Sequence, residues 1–195
     1  YTSGDLKTFD EYSIKWAEDT ASQVDFINGF IESYNDPLGM TGSWESIVNF
    51  KNIPASHRTE VLSANAQWFE DNSPVDSRFK KDKVKGVSAK VITAAILAGD
   101  AYPATPIGIN LPNANWIRAA HGSKSVTLEN ITQAYDEAAH GNGFNEEFVI
   151  DEETSKLLDD YLFITDNLHT DLHECLGHGS GKLLPGVDPD ALKAH

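Results

Sequence analysis

The sequence predicts an α+β protein, and three observations predict it. Amphipathic helical segments at Phe9–Trp16 and Pro54–Asp71 flank an extended run, Val24–Tyr34, rich in β-branched and aromatic residues. A long segment from about Glu152 carries Leu157, Leu158, Tyr161, Leu162, Leu168, Leu172 and Leu176, then stops at Gly179-Ser180-Gly181, as an apolar-striped helix does. Between them, Pro103, Pro106 and Pro112 around Gly108 impose extended, irregular backbone, because proline lacks a donor and biases its neighbours away from helix.

The remaining elements follow in order. Asn35-Asp36-Pro37 reads as the turn that closes the first strand. Pro54 suits a first helical turn, and Val61, Leu62, Trp68 and Phe69 give the helix to Asp71 its apolar face. Residues 72–87 read as a charged loop. Ser88–Gly99 is almost continuously apolar, which fits a buried strand or a short core helix equally well. Val126–Ala139 reads as a helix with Ile131, Ala134, Tyr135 and Ala138 on one side, and His140–Asn145 as a Gly/Asn loop.

Composition narrows the function classes. A length of 195 residues suffices for a real core in one domain or two small ones. The net charge of −15 argues against a nucleic-acid partner, which needs basic patches. Arg78, Lys80, Lys81, Lys83, Lys85 and Lys90 form the one basic cluster, which reads as a solvated loop. No run approaches the roughly 18 apolar residues of a membrane span, and the start at Tyr1 shows no targeting signal. One cysteine, Cys175, cannot make an internal disulfide, which fits a reducing, cytoplasmic compartment.

Chemistry concentrates in His173-Glu174-Cys175-Leu176-Gly177-His178. Zinc hydrolases need neutral imidazoles to hold the metal and a carboxylate to take a proton from its water. The second histidine stands at i+5 rather than i+4, about 140° around a regular helix from the first. Both face one ion only where the helix is overwound or bulged, and Gly177 is the residue that would permit this. The bland reading is two unliganded histidines and a surface acid; the combination favours His173 and His178 as ligands and Glu174 as general base. His169, one turn earlier, reads as a solvated or capping residue. Gly179-Ser180-Gly181-Lys182 lacks the first glycine and the hydroxyl of a phosphate loop and reads as a helix stop. A catalytic zinc normally takes three protein ligands, and only two are visible.

The hexapeptide resembles the H-E-x-x-G-H signature of the dipeptidyl peptidase III family of zinc aminopeptidases, in its bacterial-type form. Phe30-Ile31-Glu32-Ser33-Tyr34 with Asp36-Pro37 resembles that family's substrate-recognition strand, and Gly108-Ile109-Asn110-Leu111-Pro112-Asn113 its second recognition segment. Leu172 to Leu183 is similar to the family pattern throughout. The resemblance implies one Zn2+ per site and removal of dipeptides from the N-terminus of short peptides. It implies that Glu32 pairs with the substrate's α-amino group, helped by Asn110 and Asn113, that Tyr34 also binds substrate, and that the stretch from Pro106 through Gly108 to Ile109 offers backbone bonds. It implies a mostly helical zinc-bearing lobe plus part of a small β-core lobe, residues 1–52 and 94–139 in the latter, 53–93 and 140–195 in the former. It also implies a fragment whose partner is the remainder of a parent polypeptide, with the third ligand in a later E-E-x-x-A-[DE] motif. The alternative is a non-catalytic lobe that binds peptide or metal without turnover.

Overall fold

A computed structural model of the chain describes residues 3–30, 38, 40, 44–84 and 86–188. The expectations for Glu32, Tyr34, the turn at 35–37 and Lys85 lie outside these residues. Helices start where a polar side chain takes up the first unpaired amides. Asp5 accepts from the Lys7 and Thr8 amides at 3.1 and 3.3 Å and opens α1 (Leu6–Glu18). Asn52 accepts from Ala55 at 3.2 Å and opens α2 (Ile53–Ala64). The single helix expected over Pro54–Asp71 divides at Asn65, whose side-chain amide donates to the Val61 carbonyl at 2.8 Å, and α3 (Ala66–Asn72) restarts there.

Five strands form one sheet in the order β1 (Val24–Phe30), β2 (Trp44–Lys51), β3 (Ser88–Gly99), β5 (Lys124–Leu128), β4 (Gly108–Leu111). β3 and β5 run parallel, and the other neighbours are antiparallel. Ser88–Gly99 is thus a strand, which settles the choice that its apolar run left open. A bulge interrupts its pairing with β2 opposite Val48/Asn49; beyond it Ile96 is exposed while Leu97 packs against the core. α4 (Asn115–His121) leads from β4 into β5. Residues 126–128, expected as the first turn of a helix, are instead the end of β5; α5 (Glu129–Ala139) begins only after them. Tertiary pairing overrides local propensity here, since β5 fills the gap between β3 and β4. α6 (Phe144–Phe148) follows the Gly/Asn loop, and α7 (Glu152–Leu172) is capped by Asp151 on Thr154 at 2.7 Å, with Glu152 and Glu153 suiting its positive end.

The core gathers Ile27, Ile47, Ile92, Ala101, Ile109, Val126 and Leu128 against Trp16, Leu97 and Ile131. β5 is buried at all five residues, so both its faces are covered. Val126 and Leu128 face the apolar core, whereas Ser125 and Thr127, offset by one residue, hydrogen-bond toward α7. Three members of the basic cluster differ from the solvated loop expected of it. Half-buried Lys80 donates to the Asp71 and Ser73 carbonyls at 2.8 and 2.7 Å. Lys90 lies in β3, buried, 3.7 Å from Asp25, and Lys81 donates to the Gly179 carbonyl at 2.7 Å. Lys124 shares the same Asp25 at 3.3 Å and sits 4.1 Å from the Trp16 ring centre. Among the described residues, no helix is long and apolar enough to cross a membrane.

Candidate metal centre

α7 does not continue as an α-helix through the histidines. Residues His173–Gly177 form a π turn, in which the His178 amide donates to the His173 carbonyl at 3.2 Å, five residues back. A π turn places residues i and i+5 on one side, where an α-helix separates them by about 140°. Of the two distortions that the spacing allowed, the structure adopts the widened one. Gly177 is not the steric requirement: a Cβ there would meet His173 Nδ1 at an ordinary 3.8 Å. Gly179 is, since its Cβ would come within 2.7 Å of Val87 Cγ2 and 2.8 Å of the Cys175 carbonyl oxygen.

The turn brings His173, Glu174 and His178 together, with one ligand-type atom from each lying within 4.8 Å of the others. Two ligands on one zinc at roughly 2.0–2.1 Å each stand at most about 4.2 Å apart, so side chains spread over up to 4.8 Å need to draw in by a few tenths of an ångström to share one ion. The two rings meet edge to face, their centres 5.0 Å apart at 89°. Burial first, then the nearby His173 and Arg118 charges, pushes His178 down to about 4, so its ring is neutral at pH 7, as a metal ligand must be. Its side chain remains 36% exposed, which leaves the site reachable. The Glu174 carboxylate is buried, 3.9 Å from His178 Nε2. Two imidazoles suit a borderline metal such as zinc, and the carboxylate beside them is near enough to act on a water held there. His169, exposed on α7, is not in the cluster.

Gly108 at the start of β4 lies against Glu174: a Cβ on this residue would overlap the carboxylate. The proline-rich segment around Gly108 and the histidine turn, distant in sequence, therefore meet. β4 is an edge strand among the described residues, paired only with β5. Pro112 ends it, having no amide to donate. Asn110 is buried, donating at 2.6 Å to Ser125 Oγ, while its Oδ1 has no hydrogen-bond partner. Asn113 is exposed, and Pro106 is half-buried just before the strand.

Residues with no sequence signal hold the turn in place. Asp171, fully buried, takes the Thr127 hydroxyl at 3.0 Å and a very short bond from Arg58 Nε, and Arg58 also reaches Glu129 at 3.3 Å. Glu70 accepts the Lys81 amide at 2.6 Å and the Gly181 amide at 3.0 Å, fastening the loop after the histidines. The Cys175 thiol, buried beneath the turn, is pushed up to about 12 by burial and by the Asp171 and Glu174 charges.

Fold and site together define an α+β protein with a His-Glu-His metal-type centre set beside a sheet edge. The model of Peptidase family M49 matches residues 1–193, and the chain belongs to that family. It is 34% identical over 188 residues to "Dipeptidyl peptidase 3" of Dictyostelium discoideum, covering 94% of this chain and 25% of that protein. It is 32% identical over 183 residues to the Homo sapiens protein of the same name, covering 94% of this chain and 24% of that one. The solved structure of DPP III from Caldithrix abyssi superposes with a TM-score of 0.70 at 22% identity, over 87% of this chain and 33% of that one. The chain thus spans about a quarter of the length of these curated relatives.

Proposed function

We propose that this chain carries the metal-binding and peptide-reading parts of a zinc-dependent exopeptidase that removes dipeptides from the N-terminus of short peptides. The observation that carries the proposal is the contact between Gly108 and Glu174, which sets a peptide-accepting strand edge against a buried carboxylate between two histidines. His173 and His178 would hold one Zn2+, which when bound polarises the scissile carbonyl and acidifies water. Glu174 takes a proton from the attacking water and returns it to the leaving amine. β4 and the residues from Pro106 to Gly108 pair with an extended peptide as an added strand. In this reading Glu32 pairs with the peptide's α-amino group, helped by Asn110 and Asn113, and Tyr34 also binds substrate. Segments 1–52 and 94–139 belong in this reading to the β-containing lobe, and 53–93 and 140–195 to the helical one. The dipeptidyl peptidase name of the relatives supports the two-residue product, and the lone buried Cys175 suits a cytoplasmic setting.

The test is Glu174→Gln in the complete polypeptide that carries this chain. Turnover of a dipeptidyl arylamide should fall by at least about 10²-fold, the usual cost of losing a general base, while zinc content stays near one per chain. Retained turnover removes Glu174 from the role. N-acetylated peptides should resist the parent enzyme; equal cleavage of free and acetylated peptides removes the exopeptidase assignment.

A further inference from the structure

We infer that Ser125 is a positioning residue that locks the metal turn in its π register. The inference deepens the metal-site reading and rests on it for its consequence, though not for its geometry. In an α-helix the His178 amide would donate to the Glu174 carbonyl; here it donates to His173, and the Gly179 amide donates to Leu176 at 3.2 Å. The Glu174 carbonyl lies in the protein interior, where withdrawing a hydrogen-bond donor is costly. The Ser125 hydroxyl, itself fully buried, donates to that carbonyl at 3.0 Å.

A backbone carbonyl can only accept, so Ser125 is the donor, and its other neighbour leaves that proton available. The Asn110 side-chain amide donates to Ser125 Oγ at 2.6 Å, occupying an acceptor lobe and leaving the Ser125 proton for Glu174. Ser125 also stands on a rigid platform, because β5 is paired with β3 on one side and β4 on the other. Two residues along the same face, Thr127 holds Asp171 at 3.0 Å, just before the turn begins. Thr127 therefore anchors the α-helical entry and Ser125 the widened turn, and the change of register falls between them. The register decides the chemistry, since only the widened turn puts His173 and His178 on one side.

The test compares the parent protein with Ser125→Ala and Ser125→Thr in the complete, metal-free polypeptide, by site-resolved amide hydrogen exchange. Ser125→Ala should speed exchange at His178 and Gly179 by about tenfold or more, the effect of withdrawing one buried hydrogen-bond partner. Amides of the β2–β3 pair should keep their protection, which shows that the fold persists. Ser125→Thr keeps the hydroxyl and should exchange like the parent. The affinity for Zn2+ measured against a competing chelator should weaken roughly tenfold in Ser125→Ala alone. If Ser125→Ala does not fold, Ser125→Cys, close in volume but a weak donor, gives the same comparison. Parent-like exchange at His178 and Gly179 in the variant lacking the hydroxyl overturns the lock. The metal reading fails on a separate arm: His178→Ala binding Zn2+ as tightly as the parent would remove it and leave the exchange result standing.

Discussion

Gly108 and Glu174 show how little room a single residue leaves at this site. The atoms a Cβ at Gly108 would strike belong to the far end of the Glu174 side chain, which can swing away without moving backbone. Gly108→Ala should therefore fold, shifting the melting temperature by only a few degrees; with Glu174 as the proposed general base, hydrolysis by the complete polypeptide should drop about a hundredfold, the usual result of misplacing a reacting group by an ångström. Parallel thermal melts and rate measurements check the two halves. Cys175 gives a second prediction. Burial and two flanking carboxylates raise its pKa to about 12, so at pH 8 it remains a protonated thiol. Iodoacetamide should leave it unmodified in the folded protein and label it fully in denaturant, as mass spectrometry would read. The grouping of His173, Glu174 and His178 was legible in the sequence because metal-type motifs restrict both residue type and spacing. Ser125, Asp171 and Arg58 were not, because a serine on a strand or an aspartate on a helix acquires its role only from a partner far along the chain.

At the scale of elements, legibility followed periodicity. α1 and α7 show helical stripes and caps that need no tertiary help, and the i+5 spacing announced a distorted turn at the end of α7. Whether that turn tightens or widens depends on which carbonyl the His178 amide selects, which no local pattern encodes. β5 is short, and its Val126–Leu128 runs straight into a helix, so its strand character comes from the neighbours it joins. β2 buries Ile47 and Asn49 while Phe50 is exposed, so its apolar residues fall on both faces and no clean alternation marks it. The joint between α7, β5 and α2 rests on Asp171. Asp171→Asn keeps the shape and removes the charge that Arg58 faces, so urea unfolding should show a loss of about 1.5–3 kcal/mol, typical of a buried charged hydrogen bond. Arg58→Lys, which cannot bridge Asp171 and Glu129 with a planar fork, should lose less than Asp171→Asn but more than nothing.

At the scale of the whole molecule, large apolar side chains stand in the open along α6, α7 and the residues that join them: Phe144, Phe148, Ile150, Tyr161 and Ile164. Patches of this kind mark interaction surfaces, and the family relatives have about three times as much further chain. The bonds that shape the metal turn have a kinetic meaning. Ser125 and Glu174 are 49 residues apart, and Arg58 and Asp171 are 113 apart. Closing such loops carries entropy that local contacts cannot offset, so partners this remote meet late in folding. The histidine pair is consequently an outcome of the assembled sheet and not a seed for it. A synthetic peptide covering residues 152–181 should form helix in trifluoroethanol yet bind Zn2+ far more weakly than the complete protein, by titration calorimetry. During refolding, metal capture should lag behind protection of the β2–β3 amides, so that a newly made chain passes through a stage with its scaffold built and its centre still unable to hold an ion.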